Sequence, residues 1–381
     1  KGIPIVFVNQ DKDSLGIMIE QGLRNNDLCS FYDSIDGRPA TAERAKRAIA
    51  EGKFLAGIVV PPGATNAIRR NVTRLVNETM EPDSAFNNGL LTSSDSVEIQ
   101  ILIDPVAKKS FLNSITSNLR EFISEVKTKI MFQTFSEQVA EIIPGKSTGP
   151  KHIFAASQII QYKEIYASET GDKLVPNAVQ HNVPAWTIFA MFFIVIPLSG
   201  SIMKEKNEGS VFRLHTMPGS YLLLISGKII VYVIVCFIQF LLMLSVGMIF
   251  LPMLGLPVLV LGNSLTGIFI LTLTTAFAAT GYGVLVGTLA STEQQAAIMG
   301  SLSILLLSAL GGVWVPTYIM PEIMRNISGI SPLNWSLEGF YKLFLRGAGA
   351  AAILINAAKL MVFGIAALLI ASVANRVKRT I

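Results

Sequence analysis

The rhythm of apolar positions changes near residue 180. Before that point apolar residues alternate or recur every three to four positions; after it they fill long continuous runs. A helix needs about 20 mostly apolar residues to cross a bilayer, at about 1.5 Å of rise per residue. Five stretches qualify: about Val183 to Met203, Tyr221 to Leu251, Ser264 to Ala290, Ala296 to Val315 and Ile353 to Ala374. Runs this long with almost no charge do not describe the one-sided core helices of a soluble protein. The predicted fold is an α-helical polytopic membrane bundle over 181–381, preceded by an α/β domain over 1–180.

In the first part, PIVFV (Pro4 to Val8) reads as a short strand and SLGIMIEQGLR (Ser14 to Arg24) as a helix capped by Asp13 or Ser14. Thr41 caps a second helix that stops at Gly52. FLAGIVVPPG (Phe54 to Gly63) is a buried strand ended by a Pro-Pro-Gly turn, and ATNAIRRNVTRLVNE is the helix after it. Val97, Ile99, Ile101 and Ile103 alternate as in a half-buried strand between Ser96 and Pro105. From about Val106 to Ile142 apolar positions three or four apart predict a long amphipathic helix, on the order of 50 Å. Within the apolar part, Val315 to Phe344 is too polar to span and too apolar for a plain loop. Pro316, Pro321 and Pro332 break it into short helices expected to dip into the outer leaflet, with Trp335, Phe340 and Tyr341 at the interface.

Composition sharpens this picture. Of the 381 residues 51% are hydrophobic and only 15% charged, against about a quarter charged in soluble domains. Up to His181 there are 21 acidic and 20 basic residues; beyond it, 5 and 11. The whole basic excess therefore lies in the loops and C-terminus of the apolar part, a membrane-orientation pattern without a stripe for nucleic acid. Lys204, Lys206 and Arg213 follow the first span, and Arg376, Lys378 and Arg379 follow the last. Five spans put both groups on one side, expected to be cytoplasmic, with the C-terminus there and the α/β domain outside, in the periplasm. The chain opens on Lys1 rather than Met. An outside N-terminal domain leads us to expect a further span upstream, six in total.

Candidate chemistry is sparse. Pro144-Gly145-Lys146-Ser147-Thr148 resembles the end of a phosphate loop, but Ala140 stands where the motif needs glycine. Asn71 and Asn77 open glycosylation sequons expected to be chance. The three histidines are scattered and the two cysteines, Cys29 and Cys236, lie far apart in the chain, so no metal centre, disulfide framework or catalytic constellation is expected. Within the spans the ionisable candidates are Lys228 and Lys359, each near enough to an interface to snorkel. Transport without intramembrane carboxylates would draw its energy from elsewhere. Gly283 and Gly287, four apart, and Gly311-Gly312 permit close helix approach, either as bundle packing or as a substrate path or dimer seam.

The segment KEKNEGSVFRLHTMPGSYLLLISGKII resembles the coupling region of type-2 ABC transporter permeases: charged residues, Glu-x-Gly, Arg, Pro, then Gly-Lys opening the next helix. Glu205, Glu208, Gly209, Arg213, Pro218, Gly227 and Lys228 hold those positions. Ser331 to Trp335 (SPLNW, with Pro332, Asn334 and Trp335) resembles the motif before the family's last span. Val8, Asn9 and Asp11, with Glu51 to Gly63, resemble the family's extracytoplasmic domain. The resemblance implies a coupling helix near 204–218 seated in a cleft of a separate ATPase, where Glu205, Glu208 and Arg213 make charge-assisted contacts. It implies two ATPase subunits holding ATP and Mg, a second permease as homo- or heterodimer, contact with membrane lipid, and room for a periplasmic partner protein. Three functions remain open: an exporter of lipophilic or amphipathic cargo in a bacterial inner membrane, an ABC machine that passes ATP-driven motion outward without transport, and a membrane-anchored receptor or scaffold.

Overall fold

The computed structural model describes residues 3–11, 13–24, 29–80, 97–107, positions scattered over 116–132, then 160–167, 177–208 and 221–380. Two compact units result, Lys1–Val175 and Pro176–Ile381. The division falls a few residues before the expected 180/181 because the first membrane helix starts early. Asn177 accepts from the Gln180 N–H at 2.9 Å, and the Gln180 side chain returns a bond to the Asn177 N–H, forming a capping box.

The first unit is built on a five-stranded sheet. Its strands are β1 (Ile3–Asn9), β2 (Cys29–Tyr32), β5 (Ala56–Val60), β6 (Val97–Ile103) and β7 (Ile160–Tyr166), in the spatial order β2-β1-β5-β6-β7. β2, β1 and β5 run parallel, β6 is antiparallel to β5, and β7 is parallel to β6. Strand alternation divides the core. Ile5, Phe7, Ile58 and Val60 face α1 (Ser14–Arg24) and α3 (Ala64–Met80), whereas Val6, Val8 and Val59 face α2 (Ala42–Ala50). Cover on both faces is why β1 and β5 read as unbroken apolar runs.

The cap expected at Thr41 is present, its hydroxyl accepting from the Arg44 N–H at 3.4 Å; Asp13 precedes α1, its carbonyl accepting from the Ile17 N–H at 3.1 Å and its carboxylate from the adjacent Ser14 N–H at 2.7 Å. A short hairpin, β3 (Ser34–Ile35) with β4 (Arg38–Pro39), turns through Asp36 and Gly37, both at positive φ. The Asp-Gly pair is the strongest short hairpin signal a sequence carries. Of the predicted long helix, helical backbone is described at 116–117, 120–121, 123–126, 128–129 and 132; the rest, with the Pro144–Thr148 loop, lies outside the described residues.

The V-N-x-D and P-P-G segments meet at the carboxyl ends of β1 and β5. The Thr65 hydroxyl donates to Asp11 and accepts from the Leu15 N–H at 3.0 Å, while the Thr65 N–H donates to Asp11 at 3.2 Å. Asn9 accepts from the Asp11 N–H at 3.1 Å, and a Cβ on Gly16 would collide with the Asn9 carboxamide. Thr65 and Leu15 are fully buried. Thr65→Val should therefore strand the Leu15 N–H and lower the stability of this unit by about 1–3 kcal/mol. A thermal melt of the purified chain tests this; a midpoint matching that of the parent would remove the knot from the account.

Among the described residues the second unit holds five helices long and apolar enough to cross a membrane. The first is divided into α4 (Ala178–Phe192) and α5 (Val195–Asn207) by a turn at Phe193–Ile194. α6 (Tyr221–Ser245) passes into a π-helical segment, Val246–Phe250, and a final turn to Met253. α7 (Leu265–Leu289) is the central helix, and Ser264 caps it through the Gly267 N–H at 3.2 Å. α8 (Glu293–Leu310) ends earlier than predicted because Gly311 closes it and Gly312, at φ 88°, turns the chain. Two short helices, Thr317–Ile319 and α9 (Glu322–Ser328), lead to α10 (Pro332–Phe344), and α11 (Leu354–Thr380) completes the chain.

Close packing centres on α7. A Cβ on Gly283 would press on Leu198 and Val195, one on Gly287 on Ser199 and Ile202, and one on Gly281 on the Gly364 carbonyl 2.9 Å away. These glycines let α5 and α11 approach α7 within the chain itself. Hydroxyls on α7 are satisfied mostly along its own backbone: Thr272, Thr274, Thr280 and Thr288 donate to carbonyls three or four residues earlier, and Thr275 reaches Ser336 of α10 at 3.2 Å. One expectation is corrected. Phe340 is not an interfacial ring but is 1% exposed in the bundle core, stacked on Phe240 at 5.4 Å, because it lies on the face of α10 turned toward α6.

Candidate functional site

The residues singled out by sequence fall at opposite ends of the bundle. At one end, α5 leaves the bundle through Lys204, Glu205, Lys206 and Asn207, and α6 enters it with Gly227 and Lys228. Met203, Ala290 and Ala296 form a small apolar cluster that fixes this end beside the turn from α7 to α8. Ser201 and Glu205 lie one turn apart on α5. Both bond the Lys228 ammonium, which is 2.7 Å from the Ser201 Oγ and 2.7 Å from the Glu205 Oε1. The Lys228 side chain is only 17% exposed, so the pair is better shielded from water and salt than a surface bridge.

Lys204 and Glu208, by contrast, are 3.9 Å apart with most of both side chains in solvent, a contact worth little. Glu205 thus spends its carboxylate on its own chain and clamps α5 to α6, while Glu208 faces outward. The resemblance had grouped them with one task; the geometry gives them different surroundings. Gly209, Arg213 and Pro218 lie outside the described residues.

At the other end the S-P-L-N-W segment closes α8. The Ser331 hydroxyl donates to the Leu307 carbonyl at 3.0 Å, and the Asn334 amide to the Gly311 carbonyl at 3.3 Å. The Leu307 carbonyl also accepts the Gly311 N–H at 2.7 Å, so Ser331 adds a second bond to it, while Asn334 answers the carbonyl of the residue that caps α8. Pro332 occupies the first turn of α10, where its missing N–H costs nothing. A Cβ on Gly311 would meet the Ser331 Oγ at 3.0 Å and the Asn334 N at 3.1 Å, so Gly311 and Gly312 shape this corner rather than a long helix-packing seam. The Trp335 indole donates to the Gly329 carbonyl at 2.7 Å, and the Lys359 ammonium sits 5.8 Å from its ring centroid. Asn356, 2% exposed, donates to the Trp335 carbonyl and accepts from Lys342, which also pairs with Glu338 at 3.3 Å. Sequence reading missed Asn356 and Ser201; each is a polar residue within a membrane helix, Asn356 in the first turn of α11 and Ser201 midway along α5, which is the signal available.

Among the described residues no three metal-ligating side chains converge. What the two ends can do is hold helix ends in fixed relation, and each carries charged side chains, Glu208 with Lys204 at one and Glu338 with Lys342 at the other.

Comparison with known proteins gives the family. A family described as "ABC-2 family transporter protein" matches residues 1–373. The linearmycin resistance permease protein LnrN of Bacillus subtilis (strain 168) is 25% identical over 164 residues, 42% of this chain and 40% of that protein. The inner membrane transport permease YhhJ of Escherichia coli (strain K12) is 28% identical over 178 residues, 44% and 45% of the two chains. The chain thus matches less than half the length of these curated relatives. With the family match running almost end to end over five apolar helices and the α/β unit, this multi-pass membrane protein belongs to the ABC-2 family of transporters.

Proposed function

We propose that the chain is the permease subunit of an ATP-driven exporter in a bacterial inner membrane, moving a lipophilic or amphipathic cargo outward. Two ABC ATPase subunits, which hold ATP and Mg, supply the energy, and a second permease of the same or a sister kind completes the membrane path. The α/β unit lies on the outer side, where it is free to meet cargo or a periplasmic protein, and the C-terminus is cytoplasmic. The observation that supports this reading best is the α5–α6 end of the bundle. A clamped helix pair presents Glu208 there, while the stretch from Ile229 to Thr292 contains no ionisable carboxylate, ammonium or imidazole with which to tap an ion gradient. The relatives' names, a resistance permease and an inner membrane transport permease, point the same way.

The test is a mild-detergent pull-down of the tagged protein, followed by assay for a co-purifying ATPase in equal amount and for ATP hydrolysis. Glu208→Lys should abolish that association and leave membrane insertion intact. An undiminished complex in this variant would set aside Glu208 as a contact, and a clean preparation with no ATPase would set aside the transporter reading.

A further inference from the structure

Between α6 and α7 the chain must turn, and a turn between two spans ordinarily surfaces in water and carries polar residues. This one does not. From Met253 to Gly262 it reads MLGLPVLVLG, and Asn263 and Ser264 are the first polar side chains before α7 begins. The surrounding stretch from Ile229 to Thr292 holds no charged residue.

The segment is nevertheless built into the bundle. The Leu259 N–H donates to the Gly247 carbonyl at 3.1 Å, in the π-helical segment whose shifted bonding frees that oxygen. The Leu259 side chain is 1% exposed and touches the Gly247 backbone closely enough that a Cβ on Gly247 would lie 2.9 Å from it. The Asn177 amide approaches the Val258 carbonyl at 3.5 Å, and Gly262 lies directly against the Leu343 carbonyl at the end of α10. Anchored at these points, the turn leaves Met253, Leu254, Leu256, Val258 and Val260 between 40% and 77% exposed.

A row of large apolar side chains fixed outward on a rigid frame is stable only against something apolar. Yet from Leu256 to Gly262 the segment is neither helix nor strand, and its backbone groups, which are not paired as in a helix, need polar company. A single environment satisfies both demands: the boundary between acyl chains and headgroups, where apolar groups sink about 5–10 Å and the backbone keeps access to headgroup water. We propose that Met253–Gly262 is a lipid-immersed strap that lies in the membrane boundary at the S-P-L-N-W end of the bundle, with lipid acyl chains as its partner. The strap binds lipid through Leu254, Leu256, Val258 and Val260 and transmits its position to α10 through the Gly262–Leu343 contact. This surface is independent of how the protein is energised.

Spin labelling of the full chain in liposomes tests it. Cys29 and Cys236 are replaced, and single cysteines are placed at Leu256 or Val258, with Ile234 on α6 as a lipid reference and Arg47 on α2 as a water reference. Relaxation is measured with oxygen, which concentrates in lipid, and with a water-soluble nickel chelate. The expected result at 256 and 258 is an oxygen-to-nickel ratio several-fold above that at 47 and between the values at 47 and 234. A ratio equal to that at 47 would put the strap in water. Low access to both agents would mean that protein, a second copy or the α/β unit, covers it. Either of the last two results overturns the proposal.

Discussion

Gly262→Ala should largely abolish recovery of folded protein from membranes. A Cβ at this position lands on the Leu343 carbonyl, a backbone atom at the end of α10 that has no rotamer to yield. Relief would require either α10 or the strap to move, and α10 is held from several sides. Phe340 and Phe344 are buried in the core, Ser336 bonds Thr275, and Asn334 closes α8. Overpacking typically costs about 1–3 kcal/mol, and a rigid backbone obstacle belongs at or above the top of that range. The measurement is size-exclusion chromatography of solubilised protein after a heating series. Gly349→Ala is the control, because open space surrounds that glycine and its φ is ordinary. Equal survival of the two variants would mean that the strap is not seated on α10 as described.

Lys228→Glu is the second large effect. It sets a carboxylate facing Glu205 in a position where the native ammonium was mostly shielded, with Ser201 alone left to donate. Removing one partner from a fully buried pair costs about 3–5 kcal/mol. Here Glu205 is 42% exposed, so water and salt screen part of the loss. A destabilisation of about 2–3 kcal/mol is expected on that basis. The pair read in reverse, Glu205→Lys with Lys228→Glu, should recover much of it. Thermal survival of the single and double variants measures the coupling directly. If the double variant is no better than the single one, the two residues act apart and α5 is not clamped to α6 through them.

Legibility in the sequence followed the range of the interactions. The membrane helices were legible because crossing a bilayer demands length and apolarity, both local properties. α1 to α3 were legible because period and helix starts lie within a dozen residues, and Thr41 caps α2 as its position suggested. β7 and β2 were not found, since each depends on a strand far away in the chain for its bonds, although the alternation of IQYKEIY was there to read. The Asp36-Gly37 turn was a local signal that went unused.

At the functional ends the split is similar. S-P-L-N-W was recognisable as a motif, but that Ser331 and Asn334 answer carbonyls in the last turn of α8 and at its cap, more than twenty residues earlier, is a tertiary fact. Glu205 and Glu208 look alike on paper. Their separation into a clamped residue and an outward one depends on where Lys228 arrives from the next helix. The break at Phe193–Ile194 and the strap after α6 were hidden for a plainer reason: apolar turns and apolar helices have the same composition.

The hydroxyls of α7 have a consequence for what disturbs this protein. Four of its threonines answer their own helix, and its neighbours meet it through glycines and apolar or aromatic side chains such as Leu198, Phe237 and Phe363. Such contacts carry no charge and hold no proton to lose, so acid, alkali and salt leave them alike. They do depend on how firmly the surrounding lipid presses the helices together and how thick it is. The α/β unit, with pairs such as Arg24–Asp33 and Lys53–Asp36 in solvent, answers to the ions around it, while α7 answers to the bilayer.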